Sequence, residues 1–256
     1  MKIKIVKCLT DNFSYVIFDE KKLEAAVIDP SEASPIINEI EKNKLQLKYI
    51  INTHHHYDHV GGNSELKKIY NCKIAGFEKD KDRIPEIDIE LKENQKWKNQ
   101  IFECEILHIP GHTSGHISIY IKEINALFTG DTLFSLGCGR IFEGTYKEMY
   151  ESLDKLKKFP KNTKIYCGHE YTESNLKFAR SGEPLNQRII SRYNDVIELR
   201  KQGIPSLPTT IKLELETNPF LRVDLEEIQE TISKKFNIPK KEKDIFSAIR
   251  QWKDNF

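Results

Sequence analysis

No stretch of this 256-residue chain is apolar for long enough to cross a bilayer as a helix, so an integral helical membrane protein is excluded. A basic excess is missing as well. Lys and Arg number 40 against 39 for Asp and Glu, and the formal net charge of +1 argues against a general nucleic-acid binder, though not against a local basic patch. Paired cysteines are absent: Cys8, Cys72, Cys104, Cys138 and Cys167 are scattered, odd in number and form no C-x-x-C motif. That spacing excludes a disulfide framework and fits a reducing compartment. The opening Lys2-Ile3-Lys4-Ile5-Val6 has neither the apolar core of a signal peptide nor the Arg/Ser-rich character of a transit peptide, and a cytoplasmic location is expected. No internal repeat and no long low-complexity segment is found. What remains is an ordinary, rather polar composition, 38% hydrophobic and 31% charged. It is long enough for one large domain, or for a domain with a smaller appendage.

Periodicity divides the chain into two textures. Alternation at Ile3 and Ile5, then Phe13 to Phe18 and Ala25 to Ile28, predicts strands, and Ser34-Pro35 predicts an N-cap followed by a helix with Ile36, Ile37 and Ile40 inside. Tyr49-Ile50-Ile51 reads as a buried strand, and Gly61-Gly62-Asn63-Ser64 as the opening of another helix. Ile101 to Ile109, Ile117 to Ile121, Ala126 to Thr129 and Lys164 to Tyr166 read as strands, with a helix over Glu148 to Phe159. Beyond His169 the pattern becomes helical: Glu173 to Arg180, Asn186 to Lys201, Leu225 to Lys235 and Glu242 to Lys253, with Pro205, Pro208 and Pro219 in the connections. An α/β domain over residues 1–170 and a smaller helical domain over 171–256 are expected.

Chemistry concentrates at the strand ends. Thr53-His54-His55-His56-Tyr57-Asp58-His59 places four candidate metal ligands, His54, His56, Asp58 and His59, within six residues after a predicted strand. Histidines two apart can face one point from a loop, and Asp58 with His59 a second. Imidazole and carboxylate suit zinc and also iron or manganese. His112 in Pro110-Gly111-His112-Thr113-Ser114-Gly115-His116, Asp131 in Thr129-Gly130-Asp131-Thr132, and His169 in Tyr166-Cys167-Gly168-His169-Glu170 each follow an apolar run, with glycine beside them. Ligands at several strand ends are what a site on one rim of a sheet sandwich requires, and glycine lets the backbone come close.

H-x-H-x-D-H followed by separate His, Asp and His resembles the metallo-β-lactamase superfamily. The resemblance implies an αββα sandwich with a two-metal site on one edge. By motif, His54, His56 and His112 would hold one metal, Asp58, His59 and His169 the other, and Asp131 would bridge them. Asp58 would also orient the attacking hydroxide. His55, His108 and His116 are left to support the ligands or the structure. Asp29, before Pro30, either hydrogen-bonds a ligand histidine or forms a turn.

Finer motifs narrow the family. Gly130-Asp131-Thr132-Leu133-Phe134, Gly137-Cys138-Gly139-Arg140, Glu143-Gly144-Thr145, Tyr166 to Thr172, Asn175 to Ala179 and Asn218-Pro219-Phe220-Leu221-Arg222 together resemble glyoxalase II, the hydroxyacylglutathione hydrolases, over essentially the whole chain. The resemblance implies hydrolysis of S-D-lactoylglutathione, or a related 2-hydroxyacyl thioester, to a 2-hydroxy acid and glutathione. This is the second step of methylglyoxal detoxification. It implies two divalent metal ions, zinc by default; no nucleic-acid or membrane partner is expected, and a monomer is the default. The glutathione carboxylates would be met by Arg140, Arg250 and Lys253, the last two at i, i+3 on one helix face, while Tyr171 would offer its hydroxyl to the peptide; alone, such terminal basic residues would read as a solvated face. Family members commonly carry Lys where Arg140 stands and Tyr where Phe142 stands. Arg keeps the charge but changes the geometry, and Phe142 lacks the hydroxyl. Cys138 and Cys167 are expected to be packing residues. Competing readings are another superfamily hydrolase, a persulfide dioxygenase with one iron and usually no helical C-terminal domain, a tRNA-processing nuclease, or a non-catalytic sensor that keeps the fold.

Overall fold

The computed structural model describes residues 1–256. They form two compact units, Met1–His108 with Gly115–Gly130, and Ile109–Ser114 with Asp131–Phe256.

The first unit runs β1 (Lys2–Cys8), β2 (Asn12–Phe18), β3 (Glu24–Ile28), α1 (Ala33–Lys42), β4 (Gln46–Ile51), α2 (Tyr57–Val60), α3 (Asn63–Tyr70), β5 (Lys73–Phe77), β6 (Ile89–Leu91), β7 (Lys96–Lys98), β8 (Glu103–His108), β9 (Ile117–Ile121) and β10 (Ala126–Gly130). Strands β1 to β6 lie side by side in sequence order; β1, β2 and β3 are antiparallel, while β3 to β6 are parallel. The parallel pairs need crossovers, and α1 and α3 supply two of them. Strands β7 to β10 form an antiparallel meander. Strand β2 is buried along its whole length because both its faces are covered, which is why Asn12–Phe18 reads as a near-continuous apolar run. Val16 and Phe18 join Val27, Ile50 and Ile74 in a core with Ile36 and Ile40 of α1 and Leu66 of α3. On the opposite face the two sheets meet, with Tyr15 edge-on to Phe128 at 5.3 Å and Phe77 stacked on His108 at 4.7 Å.

Two local expectations are corrected. Helix α1 begins at Ala33, with Glu32 rather than Ser34 in the N-cap position and no side-chain cap. The Glu32 carboxylate is spent elsewhere, accepting from the Leu9 N–H at 2.7 Å. Pro35 still falls in the first turn, where a missing N–H costs nothing. Strand β8 starts at Glu103 and not Ile101, because the Asn99 side chain accepts from the Ile101 and Phe102 N–H groups and turns the chain.

The second unit contains the β11 (Leu133–Phe134) and β12 (Gly137–Cys138) hairpin, α4 (Tyr146–Leu156), β13 (Lys164–Cys167), α5 (Thr172–Gly182), α6 (Gln187–Lys201), β14 (Thr209–Thr210), α7 (Ile211–Thr217), α8 (Glu226–Phe236) and α9 (Glu242–Asp254). A capping box between Thr145 and Glu148 starts α4. Residues 131–169 group with the later helices for a physical reason. Lys243 of α9 pairs with Glu151 of α4 at 3.0 Å, and Tyr150 packs on Phe246 at 5.8 Å. Phe178, Phe220 and Trp252 continue this aromatic core.

A buried ion pair holds the hairpin. Arg192 donates to Glu214 at 2.6 Å, and both are almost wholly shielded from solvent. Glu214 also accepts from the Leu136 N–H at 2.7 Å, the Thr209 hydroxyl at 2.6 Å and Asn218 at 3.0 Å. Removing one partner strands a buried charge, so Glu214→Ala is expected to lose about 3–5 kcal/mol of stability in urea unfolding. Arg192→Met with Glu214→Leu should lose less, since no lone charge remains. An unchanged midpoint in Glu214→Ala would rule out this role.

Candidate active site

Strands β3 and β4 are parallel neighbours, with Ile28 paired to Ile51, so Asp29 and Thr53 emerge close together at their C-terminal ends. Asp29 adopts a left-handed φ of 48° and fixes the histidine loop. Its Oδ1 accepts from the Thr53 N–H at 2.7 Å, and its Oδ2 accepts from the Thr53 hydroxyl at 2.6 Å and from His59 Nδ1 at 3.1 Å. With its proton given to Asp29, Thr53 Oγ1 can accept only from His54 Nδ1, 3.1 Å away. Of the two roles open to Asp29, the hydrogen bond to the predicted ligand His59 is the one observed.

The tautomers follow. A carboxylate accepts, so His59 carries its proton on Nδ1 and keeps an Nε2 lone pair; the Thr53 relay assigns the same to His54. His59 Nε2 faces Asp58 Oδ2 at 3.6 Å. Two acceptors facing each other repel unless a proton or a cation lies between, and imidazole with carboxylate is a donor set for a divalent cation. The rings of His54 and His56 meet at 4.7 Å and 75°, and His116 stacks on His54 at 4.6 Å. His55 turns aside towards Asp80, with its Nδ1 3.4 Å from the carboxylate.

The second unit carries His112, Asp131 and His169. Asp131 Oδ2 lies 3.2 Å from His169 Nε2 and 3.5 Å from His112 Nε2. His112 Nδ1 donates to the Arg140 carbonyl at 2.8 Å, which again leaves a lone pair on Nε2 facing the carboxylate. Gly139 makes this approach possible. A Cβ there would stand 1.9 Å from the Asp131 carbonyl and 3.2 Å from His112 Nδ1. Tyr171 stacks on the His169 ring at 4.7 Å and 5°, and Phe134 backs it at 5.3 Å.

The remaining predicted residues of this unit have unequal surroundings. Arg140 is open, its side chain 67% exposed and 3.9 Å from Asp254. Phe142 is 63% exposed and sits edge-on to His112 at 5.2 Å. Arg250 is only 3% exposed; it donates to the Cys138 carbonyl at 2.7 Å and to Asp254 at 2.9 Å. Much of its guanidinium therefore holds the loop that leads to Arg140. Lys253 lies over the Phe178 ring at 5.1 Å, and burial together with the neighbouring Arg250 charge pushes its ammonium down to about 8. The thiols of Cys138 and Cys167 are pushed up to about 11 and about 12 by burial and act as packing residues rather than nucleophiles.

Thr53, Asn12 and Asp80 belong to the same fabric, but Asn12 and Asp80 carry no local signal. Thr53 alone was findable, as the first residue of the histidine run. Asn12 donates to Asp58 from 46 positions away, and Asp80 reaches His55 across 25 positions of chain. Loss of the Asp29 carboxylate in Asp29→Asn should weaken metal binding by about 10–100-fold in a chelator competition. Wild-type affinity in that variant would show that the Asp29 hydrogen bonds do not tune the ligands.

The metallo-β-lactamase superfamily profile matches residues 10–96 and 100–169, and the hydroxyacylglutathione hydrolase C-terminus profile matches 170–256. The hydroxyacylglutathione hydrolase of Pelagibacter ubique is 50% identical over 256 residues, 100% of both chains. That of Methylococcus capsulatus is 40% identical over 256 residues, covering 100% of this chain and 99% of its own. Among solved structures, ETHE1 from Myxococcus xanthus superposes with a TM-score of 0.67 at 22% identity, covering 99% of this chain and 98% of that one. The BLEG-1 B3 metallo-β-lactamase does so with 0.68 at 22%, covering 86% and 100%. At that identity the structures speak for the fold alone. No helix is long and apolar enough to cross a membrane. The chain has the metallo-β-lactamase fold with a helical C-terminal region, carries His/Asp clusters able to bind metal ions, and belongs to the hydroxyacylglutathione hydrolase family.

Proposed function

We propose that this protein is a binuclear metal-dependent thioester hydrolase that converts S-D-lactoylglutathione, or a related 2-hydroxyacylglutathione, to the 2-hydroxy acid and glutathione, as the second step of methylglyoxal detoxification. The observation that carries the reading is the placement of Asp131 Oδ2 within 3.5 Å of two imidazole Nε2 atoms, in a chain whose full length matches hydroxyacylglutathione hydrolases. His54, His56 and His112 would hold one cation and Asp58, His59 and His169 the other, with Asp131 a ligand available to both. Zinc is the preferred ion, with iron and manganese acceptable to the same donors. Such a pair supplies Lewis acidity to the thioester carbonyl and makes hydroxide available near neutral pH.

The side chains do the rest. Asp58 orients the attacking hydroxide by accepting its hydrogen bond. Thr53, Asp29 and the Arg140 carbonyl keep the histidine Nδ1 protons in place, so the Nε2 lone pairs stay directed inward. The departing thiolate needs no strong general acid, because a thiol of this kind has a pKa of about 8.5. Arg140 and Lys253 meet the glutathione carboxylates, the Tyr171 hydroxyl meets the peptide, Arg250 adds charge from behind, and the Phe142 face borders the site. Residues 1–170 form the catalytic domain and 171–256 the substrate-binding domain. The proposed partner is a small-molecule glutathione thioester, and the proposed location is the cytoplasm.

Thioester loss from S-D-lactoylglutathione should be fast with the metal-loaded protein and abolished by a chelator. Turnover of another substrate class with no thioester loss would overturn the assignment. Lys253 adds a pH prediction. Its pKa of about 8 lies below the ordinary lysine value, so the positive charge is present at pH 7 and lost as pH rises through 8. KM should therefore rise between pH 7 and 9 with little change in kcat. The same scan on Lys253→Met should start from a higher KM and lack this rise, which separates Lys253 from the titration of glutathione's own amine. Equal pH dependence in both proteins would remove Lys253 from the clamp.

A further inference from the structure

We infer that Asn12, the first residue of β2, is a positioning residue for Asp58, and that its amide secures the second of the two metal sites. The inference rests on the proposed ligand role of Asp58. Asn12 is 5% exposed and forms the last cross-strand pair of the hairpin, opposite Cys8. Its Nδ2 donates twice to one residue, to Asp58 Oδ2 at 2.9 Å and to the Asp58 carbonyl at 3.1 Å. The first contact fixes the rotation of the carboxylate, and the second fixes the backbone of α2 that carries it.

The oxygen that accepts from Asn12 is the one facing His59 Nε2 at 3.6 Å, so the amide acts on the atom aimed at the cation. The Asp58 side chain is 37% exposed and lies on a four-residue helix. Asn12 itself is anchored. Its hairpin turn is tied to the main body by the Leu9 N–H donating to Glu32 Oε1 at 2.7 Å, and β2 behind it is fully buried. A neutral amide is suited to this task. It supplies N–H donors to the carboxylate while adding no charge that would compete with a cation or bind one. Ligating carboxylates are generally held by such outer partners, whose loss costs about 10–100-fold in metal affinity or activity.

The test uses Asn12→Ala and Asn12→Ser on the full chain, stripped by chelator and titrated with zinc against a metal-binding dye. Wild type should take up two equivalents. Asn12→Ala should hold the first equivalent normally and the second about 10–100-fold more weakly. At saturating zinc, kcat should recover with KM unchanged, because glutathione contacts are not altered. The hydroxyl of Asn12→Ser should restore part of the second-site affinity. Melting temperature of the metal-free proteins should be the same in all three. Two equivalents held with wild-type affinity in both variants would overturn the inference alone. Equal weakening of both sites, or a fall in metal-free stability that accounts for the loss, would overturn it in favour of a structural role. Wild type binding fewer than two equivalents would overturn the ligand reading of Asp58, and this inference with it.

Discussion

The Asp29 carboxylate sets the geometry of the whole histidine loop. One of its oxygens accepts both the Thr53 hydroxyl and His59 Nδ1, and the other accepts the Thr53 N–H. Through Thr53 the same carboxylate decides the tautomer of His54. A non-glycine residue in the left-handed region is strained, but Asp tolerates it better than most. Its own N–H is also tied down, to the Ile51 carbonyl at 3.0 Å. The site is thus an outcome of parallel pairing. Because β3 and β4 run the same way, their C-terminal ends lie side by side, and residues 24 apart in sequence become hydrogen-bonded neighbours.

In the second unit the same result is reached by different means. No carboxylate orients His112; the Arg140 carbonyl does, and the loop that presents it is built from glycine and clamped from several directions. Arg250 holds the Cys138 carbonyl, while Glu214 and Asn218 hold the hairpin just before it. The charged helices therefore shape the Asp131 cluster through backbone carbonyls and N–H groups. The helical C-terminal segment thus helps to form the Asp131 cluster. It also separates Arg250 from Lys253. They share a helix face, yet one is committed to the loop and the other is a half-buried ammonium of lowered pKa over aromatic rings.

Much of this was legible from local pattern. The strands of the first sheet through β4, the central strands of the second, and the four long C-terminal helices follow from hydrophobic periodicity and from Gly and Pro punctuation. The superfamily follows from the H-x-H-x-D-H run and the glycine-flanked His and Asp, and the family from the finer motifs between Gly130 and Arg222. Short elements were less legible. Strands β6 and β7 are three residues each and owe their form to neighbours rather than to composition. Ile211–Thr217 alternates like a strand but forms α7, with the Thr210 hydroxyl accepting from the Leu213 N–H and buried Glu214 bonded to Arg192. A buried polar contact outweighed the local pattern there, and no window of sequence contains both partners.

Sequence alone determined the donors: which imidazoles and carboxylates exist, how they are spaced, and that each stands at the end of an apolar run beside a residue that lets the chain turn. Those are properties of a few consecutive residues, and short-range sterics and hydrophobic patterning suffice to read them. Tertiary structure decided how each donor is held. Which ring nitrogen carries the proton, which carboxylate oxygen accepts, and whether a basic side chain faces outward or inward depend on partners such as Asn12, Asp29 and the Arg140 carbonyl. Those partners lie tens of residues from the groups they control, and only the pairing of strands and the packing of helices brings them within hydrogen-bonding range.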